Sequence, residues 1–376
     1  MAVYTVVDRK VIANIAAAYG LGKLNKASGV AAGSVNTHYL LETAKGKFFL
    51  KVDEVKSLSD AEQEVTLLLF LREHGFRCPL PLADRQGQYL TNYEGKPLSL
   101  YTALPGKILT EAQFTPEHLE QVGTTLATLH SLSRGYPKED NNRFSFSCIF
   151  ALYQHVKEKL PGYLRYLVHT LDDEVSYQQQ YQEDRLPKGV IHGDLFADNL
   201  LFRAGKVVGV LDFEAACYGK FIYDLATAVN ALCYVEGRFL IERFNALLAG
   251  YQRQRTLTLA EWDAFPTELR FSTLRFTITR LKDFFLRPME ENRRVNKDFR
   301  EFFERLQVLR RERPGGMDRL LLAMATGYDY RQYQKPVTVA DQAGVRIRTE
   351  SRRTGGRRHV APVQQGTTKK HARTIR

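Results

Sequence analysis

The strongest structural signal in the chain is the segment His192-Gly193-Asp194-Leu195-Phe196-Ala197-Asp198-Asn199-Leu200-Leu201-Phe202, followed by Val207-Val208-Gly209-Val210-Leu211-Asp212-Phe213-Glu214. Asp194 stands five residues before Asn199, and Asp212 stands thirteen residues after Asn199. This spacing is typical of a kinase catalytic loop, which has to hold a hydroxyl group, a metal ion and a phosphate chain together. Residues 200–211 read as a β-hairpin that would bring Asn199 and Asp212 side by side at its open end.

The polar residues of this segment suit different parts of phosphoryl transfer. Asp194 follows a predicted strand and a glycine turn, so its carboxylate can orient an acceptor hydroxyl and take its proton as the new bond forms. Asn199 and Asp212 offer the hard oxygen ligands that Mg²⁺ prefers. We expect His192 to brace the loop by hydrogen bonding, and Asp224 either to cap a helix or to brace the same loop.

A second candidate group lies in the N-terminal part of the chain. Lys51 ends a predicted strand, where its ammonium group could reach a phosphate if a carboxylate from the following helix held it. Glu64 is the preferred partner, and Glu62 is the alternative. The turn at Gly33 and Ser34 is expected to present backbone N–H groups and a hydroxyl to phosphate, with an ordinary hairpin as the alternative. No P-loop glycine motif ending in Gly-Lys-Ser or Gly-Lys-Thr occurs in the chain.

Length and composition bound the class of protein. A chain of 376 residues with 44% hydrophobic residues fits a globular protein of two lobes plus a tail. No apolar run approaches the roughly 18–20 residues that cross a bilayer, and charged residues at 8–10 interrupt any signal peptide, so we expect no membrane partner. The four cysteines have neither CxxC spacing nor a framework pattern, which favours reduced thiols in a cytoplasmic protein.

The net charge of +12 is concentrated at one end of the chain. Residues 331–376 hold 12 Lys and Arg against two acidic residues, Asp341 and Glu350. This segment is poor in large apolar residues, which predicts a solvated, largely disordered tail. Basic arms attract polyanions, so a nucleic-acid contact would have to come from this tail. The tail lacks the interleaved aromatic residues of nucleic-acid binders, which argues against that contact.

The order of predicted elements indicates an α+β protein. Strands, one helix and further strands come first, and mostly helices follow. The predicted strands are Ala27–Val30, Thr37–Thr43, Lys47–Val52, a hairpin of Leu82–Asp84 with Gln88–Thr91, and Leu98–Leu104, and the predicted helices are 59–74, 117–132, 150–185, 223–250 and 259–286. We therefore predict an N-terminal nucleotide-binding lobe over 1–104, a catalytic and substrate lobe over 105–330, and the basic tail over 331–376.

With these motifs the chain resembles the aminoglycoside phosphotransferase family over residues 20–290. Within that family it is most similar to the homoserine kinases of the bacterial phosphotransferase-like type. The segments that carry this closer likeness are Gly29–Thr37, Leu98–Gly106, Tyr223–Ala226 with Val229–Cys233, and Leu274–Leu281.

The resemblance implies a protein-kinase-like, two-lobed fold and a kinase that uses ATP and Mg²⁺. It implies Asp194 as the catalytic base and Asn199 and Asp212 as magnesium ligands. Lys51 would contact the ATP phosphates, and adenine would bind along the backbone from Thr102 to Leu104. The acceptor would be the hydroxyl of L-homoserine, and the product O-phospho-L-homoserine would serve threonine biosynthesis.

The sequence leaves the identity of the phosphoryl acceptor open. A carboxylate-bearing substrate calls for an arginine, and Arg275 and Arg280 on one predicted helix are candidates, with Asn230 as a further polar contact. Glu214 stands where members of this kinase group usually carry an aromatic residue. Choline or ethanolamine, a sugar-like metabolite and an aminoglycoside therefore remain alternative substrates, and a catalytically silent kinase-like binding module is a further alternative.

Overall fold

A computed structural model of the chain describes residues 5–30, 36–137, 142–286 and 297–311. The chain divides into two units, Met1–Gly344 and Val345–Arg376, and every described residue belongs to the first. The predicted phosphate-contacting turn at Gly33 and Ser34 and the predicted basic tail, 331–376, lie outside the described residues.

The described helices are α1 (Arg9–Ala18), α2 (Leu58–Glu73), α3 (Pro116–Ser133), α4 (Phe146–Lys159), α5 (Tyr166–Tyr181), α6 (Phe221–Leu232), α7 (Ile241–Gln254), α8 (Leu259–Arg280) and α9 (Arg300–Arg311). The described strands are β1 (Leu24–Gly29), β2 (Thr37–Thr43), β3 (Gly46–Val52), β4 (Leu90–Tyr93), β5 (Lys96–Thr102), β6 (Lys107–Ile108), β7 (Lys188–Ile191), β8 (Leu200–Arg203), β9 (Lys206–Val210), β10 (Cys217–Lys220), β11 (Tyr234–Val235) and β12 (Arg238–Phe239).

The N-terminal sheet is antiparallel, with the strand order β1-β2-β3-β5-β4. Side chains of β2 alternate between buried and half-buried, as expected for a strand with one face on a core. Helix α1 and the sheet share an apolar cluster that includes Ile12, Leu41, Leu50 and Leu98. Lys51 lies in the central strand, opposite His38 of β2 and Ser99 of β5.

One predicted hairpin is wrong. The sequence suggested strands at Leu82–Asp84 and Gln88–Thr91, whereas the structure pairs β4 with β5 instead. Asp84 explains the difference, because its carboxylate accepts two backbone N–H groups at 2.8 and 2.9 Å and closes a tight turn. The true hairpin turns at Glu94 and Gly95, which have φ values of 52° and 82° and so match the left-handed turns that hairpins favour.

Helix α2 follows its predicted bounds within one residue. A capping box of Ser57 and Asp60 starts it. Its buried side includes Ala61, Val65, Leu67 and Leu71. Leu67 and Leu71 pack into the apolar core of the helical part.

Two apolar clusters of the described residues fill the helical part. One draws on α2, α3, α6 and α7, and the other on α4, α5, α8 and α9. Helices α3 and α7 cross at glycines, since a Cβ atom on Gly123 would lie 2.0 Å from Leu247 O and one on Gly250 would lie 2.0 Å from Glu120 O. Only the absence of side chains lets these two backbones approach so closely.

Strands β8 and β9 form the hairpin predicted after Asn199, and β6 pairs with β8 as a third strand. Strand β7 pairs with β10. The loop with Asp194 therefore runs from one small sheet to the other, and both of its ends are fixed by strand pairing.

The predicted α+β class is confirmed. All four cysteines are free thiols, and Cys148 is the exposed one. Within the part of the chain that the structure describes, no helix combines the length and the apolar character that crossing a membrane requires.

Candidate active site

The loop between β7 and β8 carries Asp194. Gly193 begins the turn with a φ of 73°, and a Cβ atom there would lie 2.8 Å from Ala215 O, so only glycine fits. Asn199 closes the loop, since its side-chain amide Nδ2 donates to the backbone oxygen of Asp194 at 2.8 Å. The Asp194 side chain is 24% exposed, which leaves its carboxylate accessible to a substrate.

Buried Asp224 holds the backbone of this loop. Its carboxylate accepts the N–H groups of His192 at 2.7 Å and Gly193 at 2.8 Å, and a third hydrogen bond from His130 Nε2 at 3.0 Å. Burial alone would raise the pKa of Asp224, but these donors hold that pKa below its usual value. Of the two roles considered for Asp224, the contacts support the brace.

His192 joins the loop to the hairpin. Its Nε2 donates to Leu211 O at 2.9 Å, and its Nδ1 accepts the N–H of Asp194 at 3.3 Å. Because a carbonyl oxygen can only accept, the neutral ring carries its proton on Nε2. The ring is buried and both nitrogens are engaged, so His192 acts as a brace rather than as a base.

Asn199 and Asp212 flank the same end of the β8–β9 hairpin. The register pairs Leu200 with Val210, and the N–H of Leu211 donates to Asn199 O at 2.9 Å. Asp212 has a φ of 58°, which departs from the extended path of the strand and is uncommon for a residue other than glycine.

Asp212 lies among other carboxylates. Enclosure by protein atoms, together with Glu214 and Asp194, raises the pKa of Asp212 to about 8. Asp212 keeps an exposed surface beside these carboxylates. Carboxylates that repel one another in this way favour the binding of a cation between them.

Lys51 is almost fully buried and meets three carboxylates. Its Nζ lies 2.9 Å from Glu64 Oε2, 3.0 Å from Glu214 Oε1 and 3.3 Å from Asp53 Oδ1. Burial would lower the pKa of Lys51, but these carboxylates raise it well above its usual value. Burial acts against Glu64 as well, yet Lys51 and Lys56 lower the pKa of Glu64 to about 2. Lys51 is therefore a fixed cation, and the alternative partner Glu62 is exposed.

Sequence reasoning missed the contacts of Glu214 and Asn36. Glu214 pairs with Lys51 and accepts a short hydrogen bond from the Asn36 side chain, while Asn36 Oδ1 accepts the N–H of Glu54 at 2.9 Å. These contacts join the segment after β9 to the N-terminal sheet. The only signal in the sequence was the unusual glutamate at position 214.

Arg275 extends from α8 to the loop that carries Asp194. Its Nη1 lies 3.4 Å from Asp194 Oδ1, and its guanidinium carbon lies 3.9 Å and 3.8 Å from the ring centroids of Phe144 and Phe276. The residue is 4% exposed, and its Nε has no hydrogen-bond partner among the described residues. A buried cation with an unused donor therefore lies beside Asp194, and nothing in the sequence indicated the contact with Phe144.

The other two acceptor candidates are engaged elsewhere. Arg280 donates to Asp298 O at 2.8 Å and pairs with Glu301 at 2.5 Å, on the side of α9. Asn230 is fully buried and donates to Leu269 O at 2.9 Å. These contacts give no support to a ligand role, which stays a prediction for both residues.

The segment predicted to bind adenine follows β5. Thr102 pairs with Leu80, donating its N–H at 3.0 Å and accepting the N–H of Leu80 on its hydroxyl at 3.1 Å. Leu104 packs against Gly209 of β9, where a Cβ atom would lie 2.6 Å from Leu104 Cδ1. The segment thus runs from the sheet to the hairpin that carries Asp212.

No group of three or more His, Cys, Asp and Glu in the described ranges is arranged to hold a metal ion by itself. What the structure brings together is a buried lysine–glutamate pair on a β-rich lobe and an aspartate loop with a second aspartate on a largely helical lobe. That division of charged groups is the organisation of the protein-kinase-like phosphotransferases.

Comparison with known proteins leads to the same class. A family model described as the phosphotransferase enzyme family matches residues 26–257. The chain belongs to this family and is an ATP-dependent phosphotransferase. The recognised family is therefore confirmed.

Curated relatives carry a narrower name. A homoserine kinase from Caulobacter sp. (strain K31) is 36% identical over 286 residues, covering 75% of this chain and 89% of the relative. A homoserine kinase from Rhizobium meliloti (strain 1021) is 33% identical over 290 residues, covering 77% and 88%.

Solved structures confirm the kinase-like fold. The amicoumacin kinase hAmiN, in complex with AMP-PNP, Ca²⁺ and Ami, gives a TM-score of 0.62 at 18% identity and covers 87% of this chain and 97% of its own. An aminoglycoside phosphotransferase from Alicyclobacillus acidocaldarius gives a TM-score of 0.56 at 15% identity, covering 86% and 96%.

Proposed function

We propose that the protein transfers a phosphoryl group from ATP to the hydroxyl of L-homoserine, giving ADP and O-phospho-L-homoserine. The observation that carries this proposal is the buried Arg275 guanidinium beside Asp194. A hydroxy amino acid would use both groups, because its carboxylate pairs with a guanidinium while its hydroxyl reaches the aspartate. The relatives named homoserine kinase support the same acceptor.

In this proposal Asp194 acts on the acceptor. The hydroxyl oxygen attacks the γ-phosphorus, the bond to the ADP oxygen breaks, and the hydroxyl proton passes to the Asp194 carboxylate. Phosphoryl transfer demands little covalent work from the protein, so most of the rate comes from positioning and charge stabilisation. The bracing of the loop by Asp224 and His192 supports this role, because it fixes the Asp194 backbone.

Lys51 acts on the donor. Its buried ammonium, held by Glu64, would neutralise charge on the ATP phosphates. Gly33 and Ser34 would contact the phosphates through backbone N–H groups and a hydroxyl. Adenine would lie along the backbone from Thr102 to Leu104, where the sheet meets the hairpin.

Asn199 and Asp212 are the residues that would hold Mg²⁺. The donor set fits, because both residues offer oxygen atoms, and Glu214 and Asp194 add their negative charge to the burial that raises the pKa of Asp212. Mg²⁺ is commonly held by one or two protein oxygens together with substrate phosphates and water, so two protein ligands suffice. When bound, the ion supplies positive charge to the transferring phosphates.

The wider assignment follows from the reaction. We place the enzyme in threonine biosynthesis in the cytoplasm, with a nucleotide lobe over 1–104 and a catalytic and substrate lobe over 105–330. The segment 331–376, which lies outside the described residues, would have no catalytic role. The contacts of Lys51 in the first range and Arg275 in the second support this division.

Cationic acceptors fit the site poorly. Choline, ethanolamine and aminoglycosides would bring positive charge to the Arg275 guanidinium, which is buried and repels a second cation. Glu214 does not alter this conclusion, because its carboxylate is engaged by Lys51 and Asn36.

An acceptor series tests the proposal. The purified chain with Mg-ATP should release ADP with L-homoserine at a kcat/KM at least about 100-fold above that with 3-aminopropan-1-ol, which is homoserine without its carboxylate. Choline and kanamycin serve as cationic comparisons. Turnover with one of them but not with homoserine would refute the substrate, and absence of turnover with every hydroxyl compound would favour a silent binding module.

A further inference from the structure

A buried chain of hydrogen bonds runs from the start of α8 to the catalytic loop. Glu261 Oε1 accepts from Arg255 Nη2 at 2.8 Å, and Arg255 Nη1 donates to the Tyr251 hydroxyl at 3.1 Å. The Tyr251 hydroxyl lies 2.7 Å from His130 Nδ1, and His130 Nε2 lies 3.0 Å from Asp224 Oδ2. Asp224 is the carboxylate that holds the two loop N–H groups described above.

The protons of the chain are defined for a neutral His130 ring. A carboxylate can only accept, so His130 donates from Nε2 to Asp224. In the neutral ring Nδ1 then accepts from the Tyr251 hydroxyl, which accepts from Arg255 in turn. Burial, the largest influence, lowers the pKa of His130 below its usual value, in agreement with a neutral ring. The chain therefore has one tautomer and one hydroxyl orientation.

Every link is shielded from solvent. Tyr251, His130, Asp224 and Glu261 are fully buried, and Arg255 is 7% exposed. The His130 ring stacks on Phe221 at 4.5 Å between centroids. In such surroundings a broken link would leave an unpaired buried polar group, so the links reinforce one another.

The chain connects four helices of the helical part. His130 lies on α3, Tyr251 on α7 and Asp224 on α6, while Glu261 caps the first turn of α8 together with Thr258. The glycine crossing of α3 and α7 brings the His130 and Tyr251 helices close enough for direct contact. A displacement at the α7–α8 corner would thus be transmitted to the backbone next to Asp194.

We propose that Tyr251 and Arg255 are positioning residues for phosphoryl transfer, acting through His130 and Asp224 on the backbone of the loop that carries Asp194. This inference rests on the proposed role of Asp194 in the reaction. Neither residue touches the candidate substrate or nucleotide groups, so their effect is on the orientation of the carboxylate. Displacements of about 1 Å at a reacting group cost up to about 100-fold in rate, which makes remote control of this loop measurable.

A matched pair of tyrosines provides the test. Tyr251→Phe removes the hydroxyl that joins Arg255 to His130. Tyr153→Phe removes the hydroxyl of a tyrosine that is equally buried as a residue, and this hydroxyl donates to Asp172 at 2.7 Å in the α4–α5 cluster. Both variants lose the two hydrogen bonds of a buried tyrosine's hydroxyl, but only the first should disturb the loop that carries Asp194.

Hydrogen exchange followed by mass spectrometry reads the loop without any substrate. The peptide over residues 189–196 should exchange about tenfold faster in Tyr251→Phe than in Tyr153→Phe, because the N–H groups of His192 and Gly193 are less well held. With the best acceptor, kcat should fall roughly tenfold in Tyr251→Phe while KM for ATP and acceptor stays within about twofold. If exchange and kcat match those of Tyr153→Phe, the proposal is overturned.

Arg255→Lys covers the case in which Tyr251→Phe does not fold. A single ammonium keeps the charge beside Glu261 but cannot also serve the Tyr251 hydroxyl in the same geometry, so a smaller change in the same direction is expected for exchange and for kcat. Unchanged exchange in Arg255→Lys would also overturn the inference. Failure of the wild-type protein to use homoserine would refute only the proposed substrate, since the exchange measurement needs none.

Discussion

Arg275 owes its position to packing as well as to charge. Two phenyl rings lie 3.9 Å and 3.8 Å from its guanidinium carbon, while Nη1 faces Asp194 and Nε has no hydrogen-bond partner among the described residues. Arginine suits this setting because its charge is delocalised and weakly hydrated compared with the ammonium of lysine.

Replacing this residue gives a prediction about the acceptor. Arg275→Lys should raise KM for L-homoserine about 10–100-fold, because hydrogen bonds to charged groups are worth about 1.5–3 kcal/mol and lysine cannot form two parallel ones. Steady-state kinetics measure this effect, and KM for ATP should not change. Arg270→Lys is the control, since Arg270 lies on the same helix but pairs with Glu174. Equal effects of the two variants would exclude Arg275 as the carboxylate site.

His130 gives a prediction about pH. Burial lowers its pKa and the Asp224 carboxylate only partly offsets this, so the folded protein keeps the ring neutral at pH values where the unfolded chain takes up a proton. The free energy of unfolding should therefore fall as pH drops from about 7 to about 5. In His130→Gln this slope should be smaller, as urea denaturation at both pH values would show. Parallel curves would mean that His130 is charged in the folded state.

Individual residues were predictable where their chemistry depends on spacing. The neighbouring positions of Asn199 and Asp212 and the Lys51–Glu64 pair follow from short distances along the chain, whereas the roles of these residues stay predictions. Contacts such as Arg275 with Phe144 join segments that are 131 positions apart in the numbering, and they depend on how helices pack, which local patterns do not encode.

At the scale of elements, glycines fix the shape of the catalytic loop and its hairpin. Gly193 and Gly205 have the same φ of 73°, but a Cβ atom on Gly193 would meet Ala215 O while one on Gly205 would meet nothing within 4 Å. The two positions therefore separate backbone strain from a steric clash.

Alanine at these positions gives the corresponding prediction. Gly205→Ala should lose about 1 kcal/mol of stability from the left-handed conformation alone. Gly193→Ala should lose at least about 2 kcal/mol more, because an interior clash is added, and it should lower kcat by shifting Asp194. Thermal denaturation and steady-state kinetics measure both effects. Equal losses of stability would show that the loop can move aside.

The elements themselves were largely predictable because their patterns are strong. The predicted bounds of β2, β3, α2 and α3 match the observed bounds within one or two residues. The predicted helices over 150–185 and 223–250 are each divided into two in the structure, as α4 with α5 and as α6 with α7. The hairpin at residues 82–91 failed because Asp84 closes a turn with its own side chain, which competes with strand pairing.

At the scale of the whole molecule, the charges of the two lobes meet at one place. Lys51 from the sheet and Glu214 from the segment after β9 lie 3.0 Å apart. Asp212 lies near Glu214 and Asp194, whose negative charges add to the burial that raises the pKa of Asp212. The sequence predicted the two lobes from the order of elements, but the meeting of their charges depends on tertiary packing. We propose that this site transfers a phosphoryl group from ATP to homoserine.

The most direct measurement of that claim is the identity of the product. ³¹P nuclear magnetic resonance of the wild-type protein with Mg-ATP and L-homoserine should show O-phospho-L-homoserine and ADP in equal amounts, and Asp194→Asn should form neither at a measurable rate. Formation of ADP with inorganic phosphate alone, or phosphorylation of choline or kanamycin in place of homoserine, would contradict the account.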